Sequence, residues 1–182
     1  ENTVIPGGNI VKMGPFPTGV LVDKAAERVL ELVPDLSLAQ KAKALKDAEK
    51  ACFKAGLTTA TDAGLDEETM LLIDSLQRTG ELKIRLYVMA NPDTAAVSRL
   101  LTNSALRGNE RLRFSAVKLY ADGSLGSRGA LLKHQYCDDS IAFGLIQHDS
   151  SYFKALVSYC YRHDLQVATH CIGDSANKLL LQ

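Results

Sequence analysis

The chain has 182 residues, and its 21 Lys and Arg residues balance its 21 Asp and Glu residues, which gives a formal net charge of +0 at pH 7. The basic residues are scattered along the chain, which argues against nucleic acid or an anionic membrane as partner and favours a small-molecule substrate. No apolar run approaches the ~20 residues of a membrane span, and the first ten residues lack the basic start and apolar core of a secretory signal. Four cysteines at wide, irregular spacings favour unpaired thiols and a cytoplasmic location, although a longer parent protein is free to carry a signal peptide ahead of this chain.

The first 35 residues are rich in proline and glycine, and they predict an extended connector with a hairpin-like turn. A short helix over residues 24–33 follows and ends at Pro34. A regular series of helix start and stop signals begins at residue 36. Ser37 and Gln40 have the form of a capping box, and Gly56 has the position of a helix C-terminal cap. The sequence therefore predicts a connector over residues 1–35 and a second region over residues 36–182.

Helices and strands alternate through this second region. Strands are predicted at 57–64, 82–90, 113–122 and 165–174, and helices at 66–80, 91–106, 149–164 and from 175 onward. Alternation at spacings of roughly 25 to 45 residues is typical of βαβ units, and hence of a parallel sheet covered by helices. The predicted fold class is therefore α/β, either a doubly wound sheet or part of a TIM-like (β/α) barrel. The chain shows fewer strands than a complete barrel contains.

Polar residues follow most of these strands at or near their carboxyl ends. They are Asp62, Lys118, Asp122, His170 and Asp174. Because the carboxyl ends of parallel strands and the loops after them build the sites of α/β folds, this convergence predicts a functional site.

Each of these residues also has a purely structural interpretation. Asp62 and Asp174 have the positions of helix caps, Asp122 that of a turn residue before Gly123, and His170 that of a hydrogen-bonded core histidine. The loop "DGSLGSRGA" carries Arg128, which is either an anion contact or a member of a structural ion pair. A non-catalytic α/β module that binds a small anion through this loop is therefore an alternative function.

Lys118 lies in an otherwise apolar strand, where a buried ammonium group is costly. Three functions explain it: a nucleophile that forms a Schiff base, a cation that binds phosphate, or a lysine carboxylated by CO2 to a carbamate. A carbamate is an anionic oxygen ligand that can bridge two divalent cations, and a histidine from the next strand would add a nitrogen ligand.

Five segments, in order along the chain, resemble the amidohydrolase superfamily and specifically its amidohydrolase 3 group of metal-dependent hydrolases. They are "PTGVLVDKA", "GLTTATDAG", "LYVMA", "VKLYADGSLGSRGALL" and "VATHCIGDSAN". The resemblance implies a distorted TIM barrel in which one or two divalent metal ions, with zinc as the expected metal, activate water to hydrolyse C–N bonds of the amide type. It also implies that Lys118, as a carboxylated lysine on the fourth barrel strand, and His170, at the end of the fifth, are metal ligands.

The sequence also departs from the family pattern. It contains no His-x-His pair, and the family's histidine on strand six and aspartate on strand eight have no counterpart. The chain is therefore expected to be an internal fragment covering roughly barrel strands two to five and to be inactive alone. Asp62, Asp122, Arg128 and Asp174 are expected near the substrate or behind the metal ligands. Exposed sheet edges would favour self-association.

Overall fold

The computed structural model describes residues 4–103, 106 and 109–182. The chain divides into two compact units. The first comprises Glu1–Pro34, Tyr120–Ala155 and Thr169–Gln182, and the second comprises Asp35–Leu119 and Leu156–Ala168. The described elements are, in chain order, β1 (Gly8–Met13), β2 (Phe16–Asp23), α1 (Lys24–Leu30), α2 (Leu38–Lys54), β3 (Thr59–Leu65), α3 (Glu67–Arg78), β4 (Arg85–Ala90), α4 (Thr94–Thr102), β5 (Leu112–Tyr120), α5 (Ser150–Arg162), β6 (Gln166–His170) and α6 (Asp174–Leu180).

The first unit begins with an antiparallel hairpin, in the stretch where the sequence predicts an extended connector with a hairpin-like turn. β1 pairs with β2 from Gly8 opposite Asp23 to Met13 opposite Phe16, with one irregularity on the way. The predicted helix at 24–33 is present as α1, although it ends earlier, at Leu30. Because β2 ends at Asp23 and α1 begins at the next residue, the chain changes direction at Asp23, whose φ is 51°.

The second unit contains the sheet apart from Tyr120, Thr169 and His170, which belong to the first unit, and the strand order is β3-β4-β5-β6. β3 pairs in parallel with β4, and β4 pairs in parallel with β5. The strands pack apolar side chains into the core, as Val88, Ala116, Val117 and Leu119 show. This sequential parallel order confirms the predicted α/β class and is that of part of a TIM-like barrel; the described strands do not close into a full barrel.

The helices α2 and α3 begin and end close to where the sequence predicts, because their caps are local. Ser37 and Gln40 form the predicted reciprocal capping box of α2, and Gly56 follows this helix with φ 77°. Asp66 caps α3 by accepting a hydrogen bond from the backbone N–H of Thr69 at 2.7 Å. Asp62 therefore caps no helix; it lies inside β3.

Two helices differ from the sequence prediction at their ends. α4 occupies Thr94–Thr102 of the predicted 91–106, and residues 104 and 105 of that prediction lie outside the described residues. α6 begins at Asp174, with Gly173 as its N-cap. Across the part of the chain that is described, no helix combines the length and the apolar character that crossing a membrane requires.

Candidate functional site

The first unit contains a cleft of about 460 Å³ beside the last residues of β5 and β6. Its lining is unusually rich in ionisable side chains: Asp23, Lys24, Glu27, Asp122, His148 and His170, together with Tyr120, Gly123, Ser124 and Gln147. Three carboxylates face one lysine there. With neutral histidines this balance is negative, so the cleft favours a cationic ligand.

His170 is the last residue of β6 and reaches the cleft with 30% of its side chain exposed. Its Nε2 lies 3.4 Å from the carbonyl oxygen of Gly123 and 4.0 Å from Oδ1 of Asp122. Its own carbonyl accepts a hydrogen bond from the N–H of Ala121 at 2.9 Å, which fixes the backbone beneath the ring. The imidazole is thus held in place yet open on one side, as a metal ligand requires.

Asp122 is fully buried, and its carboxylate holds two loops together. It accepts hydrogen bonds from the backbone N–H groups of Leu131 at 2.9 Å, Ile172 at 3.0 Å and Gly173 at 2.7 Å. A buried carboxylate that accepts several N–H bonds is a strong structural anchor. Asp122 therefore joins the backbone at Leu131 to the residues that follow His170, a role larger than that of a turn residue.

Asp23 belongs to the same cleft, and sequence reasoning did not single it out. Its Oδ2 exposes less than 1 Å² and has no hydrogen-bond partner among the described residues. Burial, and secondarily the charges of Glu27 and Asp122, raise the pKa of Asp23, while His170 acts in the opposite direction. Asp23 stood within the segment "PTGVLVDKA", but nothing local marks a carboxylate that becomes buried by contacts far along the chain.

The glycines of the loop "DGSLGSRGA" make room for the Asp23 carboxylate. A Cβ at Gly123 or at Gly129 would lie 2.5 Å from Oδ2 of Asp23, whereas a Cβ at Gly126 would meet nothing within 4 Å. Contacts under 3.0 Å force something to move. Two of the three glycines are thus required by the close approach of Asp23.

Replacing Gly123 with alanine is expected to lower the free energy of unfolding by about 1–3 kcal/mol, because the new methyl group overlaps the Asp23 carboxylate. Gly126→Ala, in the same loop but facing open space, is the matched control and should be close to neutral. Chemical denaturation of both variants measures the difference. In an Asp23→Gly background the cost of Gly123→Ala should disappear, and persistence of the full cost would contradict the assigned contact.

Lys118 lies in the second unit, near the carboxyl end of β5, and is half-buried. Its Nζ donates a hydrogen bond to the carbonyl oxygen of Leu119 at 3.0 Å. Burial lowers the pKa of Lys118, because an ammonium group is poorly solvated there. A larger neutral fraction is what both carbamate formation and Schiff-base chemistry need.

Arg128 does not reach the cleft. Its guanidinium binds the Asp138 carboxylate in a fork, with Nε 3.2 Å from Oδ1 and one Nη 3.0 Å from Oδ2. Both side chains are largely exposed. Of the two interpretations that the sequence allowed for Arg128, an anion contact or a structural ion pair, the structure shows the ion pair.

Asp174 and Asp62 also lie apart from the cleft lining. Asp174 accepts a hydrogen bond from the backbone N–H of Lys133 at 2.9 Å and lies 3.6 Å from the same residue's Nζ. The backbone hydrogen bond, aided by the charge of Lys133, lowers the pKa of Asp174. Asp62 is exposed on β3 of the second unit. Of the residues singled out from the sequence, only Asp122 and His170 line this cleft.

The described residues contain no group of three or more His, Cys, Asp or Glu side chains arranged to hold a metal ion. The first unit nevertheless offers an imidazole and an unpartnered, buried carboxylate oxygen in one negatively charged cleft. An unpaired buried carboxylate is costly unless a cation or donor satisfies it. This donor set suits a divalent metal whose remaining ligands come from other groups.

The parallel strands, with a histidine where the last of them ends in the cleft, define the chain as part of an α/β fold. Comparison by sequence is more specific: residues 2–181 match the amidohydrolase family. The chain belongs to that family, within its amidohydrolase 3 group.

Two curated relatives resemble the chain over nearly all of its length. One is the putative amidohydrolase YtcJ of Bacillus subtilis (strain 168), which is 34% identical over 188 residues, covering 100% of this chain and 35% of the relative. The other is the protein LONG AFTER FAR-RED 3 of Arabidopsis thaliana, 33% identical over 192 residues, covering 96% of this chain and 32% of the relative. The chain thus spans about a third of the length of these relatives.

Two solved structures share the fold. An uncharacterized metal-dependent hydrolase from Pyrococcus furiosus matches with a TM-score of 0.72 and 23% identity, over 88% of this chain and 35% of its own. A counterpart from Pyrococcus horikoshii OT3 matches with a TM-score of 0.73 and 23% identity, over 94% and 36% respectively.

Proposed function

We propose that this chain is a segment of a cytoplasmic, metal-dependent hydrolase that cleaves C–N bonds of the amide type in a small-molecule substrate, with His170 and a carboxylated Lys118 as metal ligands. Membership of the amidohydrolase family supports the class of reaction. The observation that carries the proposal is the position of His170. Its partly exposed imidazole ends β6 in a negatively charged cleft that also contains Asp23, whose Oδ2 has no hydrogen-bond partner within the described ranges.

His170 is suited to bind through a ring nitrogen without rearranging its backbone, since its carbonyl is already engaged with the N–H of Ala121. Asp122 holds the backbone of Ile172 and Gly173 directly after the histidine. A metal ligand needs this kind of preorganisation, because small displacements of a site residue strongly lower the reaction rate.

Lys118 is suited to form a carbamate because burial lowers its pKa. The neutral amine nitrogen attacks the carbon of CO2, one proton leaves for solvent, and the product carries an anionic carboxylate on nitrogen. This replaces a costly buried cation with an anionic ligand that a metal ion neutralises.

A divalent metal, with zinc as the expected ion, would polarise the scissile carbonyl and lower the pKa of water toward about 7. The sequence lacks the family's His-x-His pair, its later histidine and its late aspartate. We therefore expect hydrolysis from the natural full-length protein and none from residues 1–182 alone.

Removing metal should abolish hydrolysis in the natural full-length protein. We expect dialysis against a strong chelator to reduce the hydrolysis of a panel of amides and N-acyl amino acids to background. Stoichiometric Zn2+ should restore it. Elemental mass spectrometry measures the metal content of the protein before and after dialysis. A metal-free protein that hydrolyses the panel at the untreated rate would contradict the proposal.

A further inference from the structure

We propose that Asp23, the residue that joins β2 to α1, supplies a carboxylate ligand to the same metal ion that His170 binds. This inference rests on the proposed function and adds to it a ligand that comes from the hairpin rather than from a sheet strand. The carboxylate of Asp23 and the imidazole of His170 line one cleft in one compact unit.

The first line of evidence is the state of the carboxylate itself. Oδ2 of Asp23 exposes less than 1 Å² and lacks a hydrogen-bond donor among the described residues. Asp23 precedes α1 but makes no side-chain capping bond to it. A carboxylate that serves the fold is normally hydrogen-bonded when buried, so this one has an acceptor oxygen to spare.

The second line of evidence is the space that the rest of the unit gives to this side chain. Gly123 and Gly129, about 100 residues further along the chain, both lie so close that a Cβ would sit 2.5 Å from Oδ2. The backbone at Asp23 also adopts φ 51°, a conformation unfavourable for most non-glycine residues. Several features of the fold thus accommodate a carboxylate whose Oδ2 has no hydrogen-bond partner in the described part of the chain.

The charges around the carboxylate have the sign that a cation would balance. Glu27 and Asp122 add negative charge near Asp23, and Lys24 directs its Nζ to the carbonyl oxygen of Gln147 at 2.5 Å. An aspartate oxygen and a histidine nitrogen are both ordinary ligands of zinc, which also accepts a carbamate oxygen. Asp23 would therefore add a carboxylate oxygen to the imidazole that His170 supplies in the same cleft.

The experiment compares metal affinity in the natural full-length protein, prepared metal-free, with Asp23→Asn as the diagnostic variant. Asparagine has nearly the same shape and tolerates positive φ, but it carries no negative charge. We expect Zn2+ affinity, measured by competition with a chromogenic chelator, to fall about 10- to 100-fold, and the visible spectrum of the Co2+-loaded protein to change.

Glu27→Gln is the matched control, since it removes the same charge from the same cleft but from an exposed side chain. We expect its Zn2+ affinity to change by about fivefold at most. An equal loss in both variants would overturn the inference in favour of general electrostatic attraction.

The thermal stability of the metal-free proteins separates ligation from a structural role. Asp23→Asn removes an unpartnered buried charge, so its metal-free melting temperature should equal or exceed that of the unsubstituted protein, while the rise on adding Zn2+ should shrink. A lower metal-free melting temperature with an unchanged response to Zn2+ would assign Asp23 to the fold alone.

His170→Ala distinguishes failure of this inference from failure of the proposed function. If His170→Ala loses Zn2+ while Asp23→Asn retains it, only the Asp23 inference fails. If His170→Ala binds Zn2+ as tightly as the unsubstituted protein, or if the latter binds none, the metal site itself is wrong and both proposals fall.

Discussion

Lys118→Ala in the natural full-length protein is expected to lower kcat/KM for amide hydrolysis about 100-fold or more and to weaken metal binding. The reason is the proposed loss of the carbamate, the anionic oxygen ligand that a half-buried lysine of lowered pKa can form with CO2. Kinetics and metal content measure the two effects. Lys154→Ala, which removes an exposed lysine on α5, is the matched control and should leave both unchanged.

Chemical rescue tests the carbamate specifically. A short carboxylate such as acetate or propionate can enter the space left by Lys118→Ala, so added carboxylate should restore part of the metal binding and turnover. A carbamate carbon should also appear by NMR after incubation of the unsubstituted protein with 13C-bicarbonate. Borohydride trapping of a carbonyl substrate on Lys118, without carboxylate rescue, would instead favour the Schiff-base alternative.

Asp122→Ala is expected to destabilise the protein by about 3–5 kcal/mol. The substitution removes a fully buried carboxylate that accepts three backbone hydrogen bonds, and it leaves the N–H groups of Leu131, Ile172 and Gly173 without their acceptor. Chemical denaturation measures the loss. The stability of Asp122→Asn should fall between those of the unsubstituted protein and Asp122→Ala. Its amide keeps one acceptor oxygen but places a donor where the other oxygen stood.

Hydrogen exchange locates the effect of this substitution. The amide protons of Leu131, Ile172 and Gly173 should exchange faster in Asp122→Ala, whereas amides of the second unit should change less. Asp138→Ala breaks the exposed pair with Arg128 and should leave stability nearly unchanged, because water screens exposed ion pairs. An Asp122→Ala protein with unchanged stability and three slow amides would show that this anchor is unimportant.

The sequence predicted the elements whose signals are local. The Ser37 and Gln40 capping box and the C-terminal glycine of α2 act within three or four residues, so the sequence alone shows them. The alternation of helices and strands likewise predicted the parallel order, because βαβ connections leave few other arrangements. For the first 35 residues the sequence predicted an extended connector with a hairpin-like turn. It did not predict that β1 and β2 pair, because proline and glycine mark turns without revealing which strands pair across them.

The sequence pointed to only part of the candidate site, because it shows local signals and not long-range contacts. The position of His170 at the end of a strand, together with the family resemblance, marked it as a candidate site residue. For Arg128 the sequence left two interpretations, an anion contact or an ion pair. Whether Asp174 capped its helix depended on the position of one residue: Gly173 became the N-cap, so the Asp174 carboxylate was left to bind Lys133.

Only the tertiary structure decided which carboxylates are buried and what satisfies them. Asp122 takes its donors from loops 9 and 51 residues away, and Oδ2 of Asp23 is buried against glycines that no nearby residue could have indicated. Desolvation and long-range hydrogen bonds depend on which segments the fold brings together, and a local pattern carries no record of that. The sequence by itself therefore determined the alternation of elements, the family and the imidazole of the site, while the fold determined that Asp122 is an anchor and that Asp23 retains an unsatisfied oxygen beside that imidazole.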